Sequence, residues 1–218
     1  MIPLHDNNPT KHFPWMTLLI IGANVFVFLY WQLGTGLERS IQMAAFIPAD
    51  AHHYGIVAET PSLVMSMFMH GGFMHLIGNM WFLWLFGNNV EDRCGSFSFF
   101  VFYLACGIAA TLGYASFNPN SHVPLVGASG AISGVLGAYV VMFPHAEVLT
   151  LVPLGFFTRL MYLPAWIFLG IWIGFQFLSQ AMTSASRGGG KEQGGVAFLA
   201  HIAGFAVGAV LIFIFRRR

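Results

Sequence analysis

Six long apolar segments, separated by short polar connections, constrain this chain more than any other feature. They run near Met16–Leu33, Leu63–Phe86, Phe97–Phe117, Leu125–Phe143, Leu160–Met182 and Val196–Phe215. Each has enough residues to cross about 30 Å of hydrocarbon as a helix. A lipid interior leaves no water for backbone N–H and C=O groups, so only helices and closed barrels span it. The segments fill most of the 218 residues and leave no room for a separate water-soluble domain. Only 8% of the residues are charged, against roughly 25% in soluble domains. The expected fold is an all-α membrane protein, a bundle of six transmembrane helices over residues 16–215. A cytoplasmic tail (1–15) precedes it and a basic end (216–218) closes it. The first segment follows the polar run His5-Asp6-Asn7-Asn8 and has no small-residue cleavage site behind it, so it reads as a retained anchor.

Basic residues set the orientation. With six crossings, Lys11, Arg93, Arg159, Arg216, Arg217 and Arg218 fall on one side and Arg39, Arg187 and Lys191 on the other. The richer side is expected in the cytoplasm, with both termini there. The net charge of +1 points to no nucleic-acid partner.

Within these segments stand side chains that hydrocarbon penalises. His201 lies in Ala200-His201-Ile202-Ala203-Gly204, and a histidine inside a span is a functional candidate by default. Ser129 lies in Val126-Gly127-Ala128-Ser129-Gly130-Ala131. Ser129 stands 15 residues before Pro144, and His201 stands 15 before Arg216. At about 1.5 Å per residue, both lie roughly 22 Å above the cytoplasmic boundary. His75 stands 13 residues before Asn88 and reaches nearly the same level. A serine and a histidine at one depth suit nucleophilic acyl chemistry, provided that they approach to about 3 Å.

Small residues supply the approach. Gly130 and Gly134 recur along the fourth segment, and Gly204 and Gly208 along the sixth. Glycines four apart let two helix backbones come close in lipid, although such pairs also serve ordinary packing. Pro124 and Gly127 precede Ser129, which fits a helix that starts at the serine. Its unpaired N–H groups would suit a developing oxyanion. His75 and Asn79, four apart, share a helix face and offer N–H donors, either to the same oxyanion or merely between helices. His70 and His75 are five apart and point to different faces of a continuous helix, so no metal site is expected. No cofactor is called for.

Taken together, the chain closely resembles the bacterial six-span rhomboid intramembrane serine proteases. The likeness rests on His70, His75 and Asn79; on Glu91-Asp92-Arg93-Cys94-Gly95; on Gly127-Ala128-Ser129-Gly130; and on Ala200-His201-Ile202-Ala203-Gly204 with Gly208. It implies a serine endopeptidase that cleaves single-span or multi-span membrane proteins in the lipid bilayer of a bacterial inner membrane. Ser129 would be the nucleophile and His201 the base, with no third acid. The N–H of Ser129, with His75 and Asn79, would bind the oxyanion. No carboxylate lies inside a span, in keeping with a dyad and against an aspartyl protease. The alternative is a non-catalytic rhomboid-like protein that binds membrane clients.

Two positions depart from the family pattern. Ser133 stands where many members carry a tyrosine that stacks on the histidine, which leaves open what orients His201. Pro61-Ser62 replaces a Trp-Arg pair of the first loop. That loop, with Met43, Phe46, Ile47 and Tyr54, is expected to rest in the membrane interface. Gly188–Gly190, Gly194 and Gly195 suit a flexible fifth loop. Trp166, Trp172, Phe175 and Phe177 read either as a lateral gate or as lipid-facing residues, with lipid the commoner role.

Overall fold

The computed structural model describes residues 1–155, 157–186 and 197–217. The expectations for the fifth-loop glycines and for Arg187, Lys191 and Arg218 lie outside the described residues. The chain is mostly helical. A first strand, β1 (Ile2–Asp6), leads to α1 (Trp15–Thr35), which passes through a π-helical stretch at Val27–Gln32. Short helices α2 (Leu37–Ala44), α3 (Pro48–Tyr54) and α4 (Thr60–Met65) cross the first loop. Then come α5 (Phe73–Cys94), α6 (Ser96–Phe117) and α7 (Ser129–Met142). A hairpin of β2 (Glu147–Leu154) and β3 (Phe157–Pro164) precedes α8 (Ala165–Ser186) and α9 (Phe198–Phe215).

Among the described residues four helices are long and apolar enough to cross a membrane: α1, α6, α8 over Ala165–Ser184, and α9. A helix of 22 residues such as α6 is about 33 Å long, enough for the hydrocarbon core. The more polar α5 is equally long, while α7 has 14 residues and reaches only about 21 Å.

The fourth segment, expected to cross as a helix over Leu125–Phe143, is thus helical only from Ser129, and two further elements differ from the expectation. Residues Phe157–Pro164 are extended rather than the start of a fifth span, and they pair antiparallel with β2. A run such as Leu160-Met161-Tyr162-Leu163 is equally apolar as strand or helix, so hydropathy alone does not separate them. Pro164 lacks an N–H, and the helix begins just after it. The second span is also interrupted. α4 gives way to a 3₁₀ turn at Ser66–Phe68, and regular helix resumes only at Phe73, after Gly71-Gly72.

The N-terminal residues dock against the bundle. β1 is the outer neighbour of β2, with Ile2 opposite Leu151 and Asp6 opposite Val148. Asp6 is buried and accepts hydrogen bonds from Tyr139 Oη (2.6 Å) and Asn89 Nδ2 (2.8 Å). Trp81 Nε1 donates to the Pro3 carbonyl at 2.7 Å. α1 has no side-chain cap of its own. The buried Glu91 carboxylate accepts from Met16 N, Thr17 N and Thr17 Oγ1 at 2.7–2.9 Å, and Ser96 Oγ donates to it at 2.6 Å. One carboxylate thereby caps α1 against the α5–α6 corner. Lys11 N and His12 N donate to Asp92, and Arg217 N donates to the Arg93 carbonyl. The N-terminal segment, the end of α5 and the end of α9 therefore meet at one end of the bundle.

Candidate active site

The backbone before Ser129 is pinned on both sides. Leu125 and Phe46 exchange backbone hydrogen bonds of 2.8 and 3.2 Å, and Gly127 N donates to the Ser66 carbonyl at 2.9 Å. Gly127 has φ 129°, which L side chains rarely adopt, and a Cβ there would also meet the His75 ring at 2.8 Å. Glycine is thus demanded by conformation and by space. Two residues later α7 begins with Ser129 as its first residue, so the serine sits among N–H groups without an intrahelical acceptor. Phe46, expected in the interface, is fully buried by this pairing, whereas Met43 and Tyr54 are exposed.

α7 and α9 touch backbone to backbone. A Cβ on Gly204 would collide with the Gly130 carbonyl oxygen, and one on Gly208 with that of Gly134. A Cβ on Gly134 would meet Cys106 Cβ of α6 at 2.5 Å, and one on Gly130 would meet Ala110 Cβ at 2.7 Å. No bulkier residue fits this seam, and the approach brings the two polar side chains together. Ser129 Oγ and His201 Nε2 lie 2.8 Å apart, within hydrogen-bond reach, with His201 only 9% exposed.

The other imidazole nitrogen is also occupied. His201 Nδ1 lies 2.8 Å from Gln176 Oε1 of α8, and the Gln176 amide nitrogen donates to the Trp172 carbonyl at 3.4 Å. The Trp172 ring lies over the imidazole, centroids 6.0 Å apart and planes at 32°. Ser133 donates its hydroxyl back to the Ser129 carbonyl at 2.6 Å, not to the imidazole. Of the four aromatic residues expected to face lipid or gate the site, Trp166, Phe175 and Phe177 are exposed, but Trp172 packs on His201 and Phe205. Gln176 escaped the sequence reading. Its one signal was an amide in an otherwise apolar stretch.

The start of α5 and the turn before it contribute the remaining polar groups. His75 Nδ1 accepts from Gly71 N at 3.3 Å, so in a neutral ring Nε2 carries the proton as a donor. Asn79 is buried, and its Nδ2 donor has no partner among the described residues. His70 and His75, expected on different faces, have rings 5.1 Å apart. Their separation along a helix does not apply, because His70 lies before the helix starts at Phe73. Among the described residues no three His, Cys, Asp or Glu side chains gather to hold a metal. A small cavity of about 30 Å³ lies between Ser66, Thr111, Gly127, Ser129 and Ala200, room for a water or two.

Fold and site together define a multi-pass helical membrane protein with a buried serine–histidine pair. Comparison with known proteins agrees: the family model described as the Rhomboid domain matches residues 57–218. Similar proteins include Rhomboid protein 1, mitochondrial, of Saccharomyces cerevisiae, 35% identical over 61% of this chain and 38% of its own length. Presenilin-associated rhomboid-like protein, mitochondrial, of Bos taurus is 31% identical over 74% of this chain and 43% of its own. Rhomboid protease GluP of Bacillus subtilis is 33% identical over 57% of this chain and 24% of its own. This chain therefore spans less than half the length of each. The chain belongs to the rhomboid family.

Proposed function

We propose that this protein is an intramembrane serine endopeptidase that hydrolyses peptide bonds in or near the transmembrane segments of single-span or multi-span membrane proteins. The observation that carries the reading is the 2.8 Å hydrogen bond between Ser129 Oγ and His201 Nε2 inside a membrane bundle. In the first step Nε2 takes the hydroxyl proton as Oγ attacks the scissile carbonyl carbon. The oxyanion that forms is met by the Ser129 N–H, the unpartnered Asn79 Nδ2 and His75 Nε2. His201 then hands its proton to the departing amine, leaving an acyl-serine. A water from the adjoining cavity gives a proton to His201 as it attacks the ester, and His201 returns that proton to Ser129 Oγ as the acid is released.

The length of α7 supports chemistry below the membrane surface. A helix of about 21 Å based at one boundary ends about 9 Å short of the far side of a 30 Å core, and Ser129 is at that end. The proposal carries six crossings, by α1, the α4–α5 segment, α6, α7, α8 and α9, with both termini in the cytoplasm or its mitochondrial counterpart. The names of the yeast and bovine relatives place those proteins in mitochondria. They favour a mitochondrial membrane over the bacterial inner membrane expected from sequence, while the Bacillus relative keeps the bacterial setting in view.

The test is reaction of the purified protein with a serine-directed fluorophosphonate, beside cleavage of tagged single-span substrates in proteoliposomes. Wild type should be labelled and active. Ser129→Ala and His201→Ala should fold but show neither property. Proteolysis by either variant would overturn the dyad, and an unlabelled, inactive wild type would favour the client-binding alternative.

A further inference from the structure

We infer that Gln176 is a positioning residue for His201, an uncharged third member that fixes the imidazole in the tautomer the nucleophile needs. The inference rests on the hydrolase reading above and adds a residue on α8, a helix that carries neither member of the Ser129–His201 pair. Three contacts make the argument. An amide nitrogen only donates and an amide oxygen only accepts. The Gln176 Nε2 group is turned toward the Trp172 carbonyl at 3.4 Å, so Oε1 is the atom 2.8 Å from His201 Nδ1. An acceptor at Nδ1 requires that nitrogen to carry the ring proton. Nε2 is then left with a lone pair, and that is the nitrogen 2.8 Å from Ser129 Oγ.

The opposite tautomer would face the serine with an N–H and could not take its proton. A ring turned over about its Cβ–Cγ bond would be disfavoured for the same reason. Trp172, one turn earlier on α8, limits the tilt of the ring from its face. An amide suits this place better than a carboxylate, because a buried anion without a full set of partners is costly. The position of α8 is thereby tied to the protonation pattern of a histidine on α9. If α8 moves away from α9, the base loses its orientation.

Two measurements test this. Solid-state NMR of ¹⁵N-histidine protein in lipid bilayers, with the His201 signal identified by its loss in His201→Ala, should find Nδ1 protonated and Nε2 bare. In Gln176→Met, equal in length but without an acceptor, the signal should become a mixture of tautomers. A wild-type His201 that carries its proton on Nε2 overturns the inference whether or not the protein cleaves anything. Kinetically, Gln176→Met should lower kcat and the rate of fluorophosphonate labelling by about 10- to 100-fold, the scale of one lost orienting hydrogen bond. KM should stay nearly constant. Gln176→Glu, which keeps an acceptor in place, should recover most of the loss. Wild-type kcat in Gln176→Met overturns the inference, as does an equal loss in both variants at unchanged melting temperature, which would assign Gln176 to packing. An inactive, unlabelled wild type with the expected tautomer would overturn the hydrolase reading and leave the positioning contact standing.

Discussion

Asn79 is buried at 9% exposure with its Nδ2 donor unpartnered among the described residues, and burying such a donor costs about 1–3 kcal/mol. A cost of that size is explicable if the partner exists only during the reaction. Asn79→Ala should therefore lower kcat by about 10- to 1,000-fold, since one oxyanion donor is worth about 2–4 kcal/mol. Its melting temperature should not fall. Wild-type turnover in this variant would move the oxyanion donors elsewhere. Asp6 makes the contrasting case, a buried carboxyl with its donors present. Burial pushes it above the ordinary carboxylate range, outweighing the hydrogen bonds from Tyr139 and Asn89 and the charge of His5. The folded protein thus holds that proton more tightly than an unfolded chain does. The resulting stability is full below about pH 4 and is lost as pH rises through the elevated value. Asp6→Asn should flatten this decline. Melting temperatures of both proteins between pH 4 and 8 check it, and parallel curves would refute it.

The seam between α7 and α9 yields the sharpest structural prediction among the helices. Gly204→Val would drive a branched side chain into the Gly130 carbonyl, at an overpacking cost of about 1–3 kcal/mol. The same shift lengthens the Ser129–His201 contact, and a displacement of about 1 Å can cost around 100-fold in rate. Activity should fall further than thermal stability, whereas Leu211→Val, deeper in α9, should be mild in both. Full activity in Gly204→Val would separate the seam from catalysis. This seam could be read from the sequence because lipid imposes a simple grammar: long apolar runs must be helices, and glycines four apart mark close approach. Ser129 and His201 stood out for the same reason, as polar groups where none is cheap. The β2–β3 hairpin did not, because Leu149, Leu151, Leu160 and Leu163 are as apolar in a strand as in a helix. Nor did the late start of α5, where Gly71 and Gly72 break a run of unchanged hydropathy. Gln176 was visible only as an isolated amide, and its partner lies 25 residues away on another helix.

For the whole molecule, the contacts among Lys11, Asp92, Arg93 and Arg217 gather at one end, and Asn120 lies in the loop beyond the other end of α6. Cys94 and Cys106 are buried, so an impermeant maleimide should report only introduced thiols. In oriented vesicles Lys11→Cys and Asn120→Cys should react from opposite faces, and reaction from the same face would exclude an odd number of crossings between them. The sheet bears on another matter, the order of assembly. Asp6 and Tyr139, which share a hydrogen bond, are 133 residues apart in sequence, and β1 cannot find β2 until the residues between them have been made. Closing so long a loop is slow and comes after local helix formation. The residues of β1 are therefore among the last to find their native place, and until then β2 has an unpaired edge.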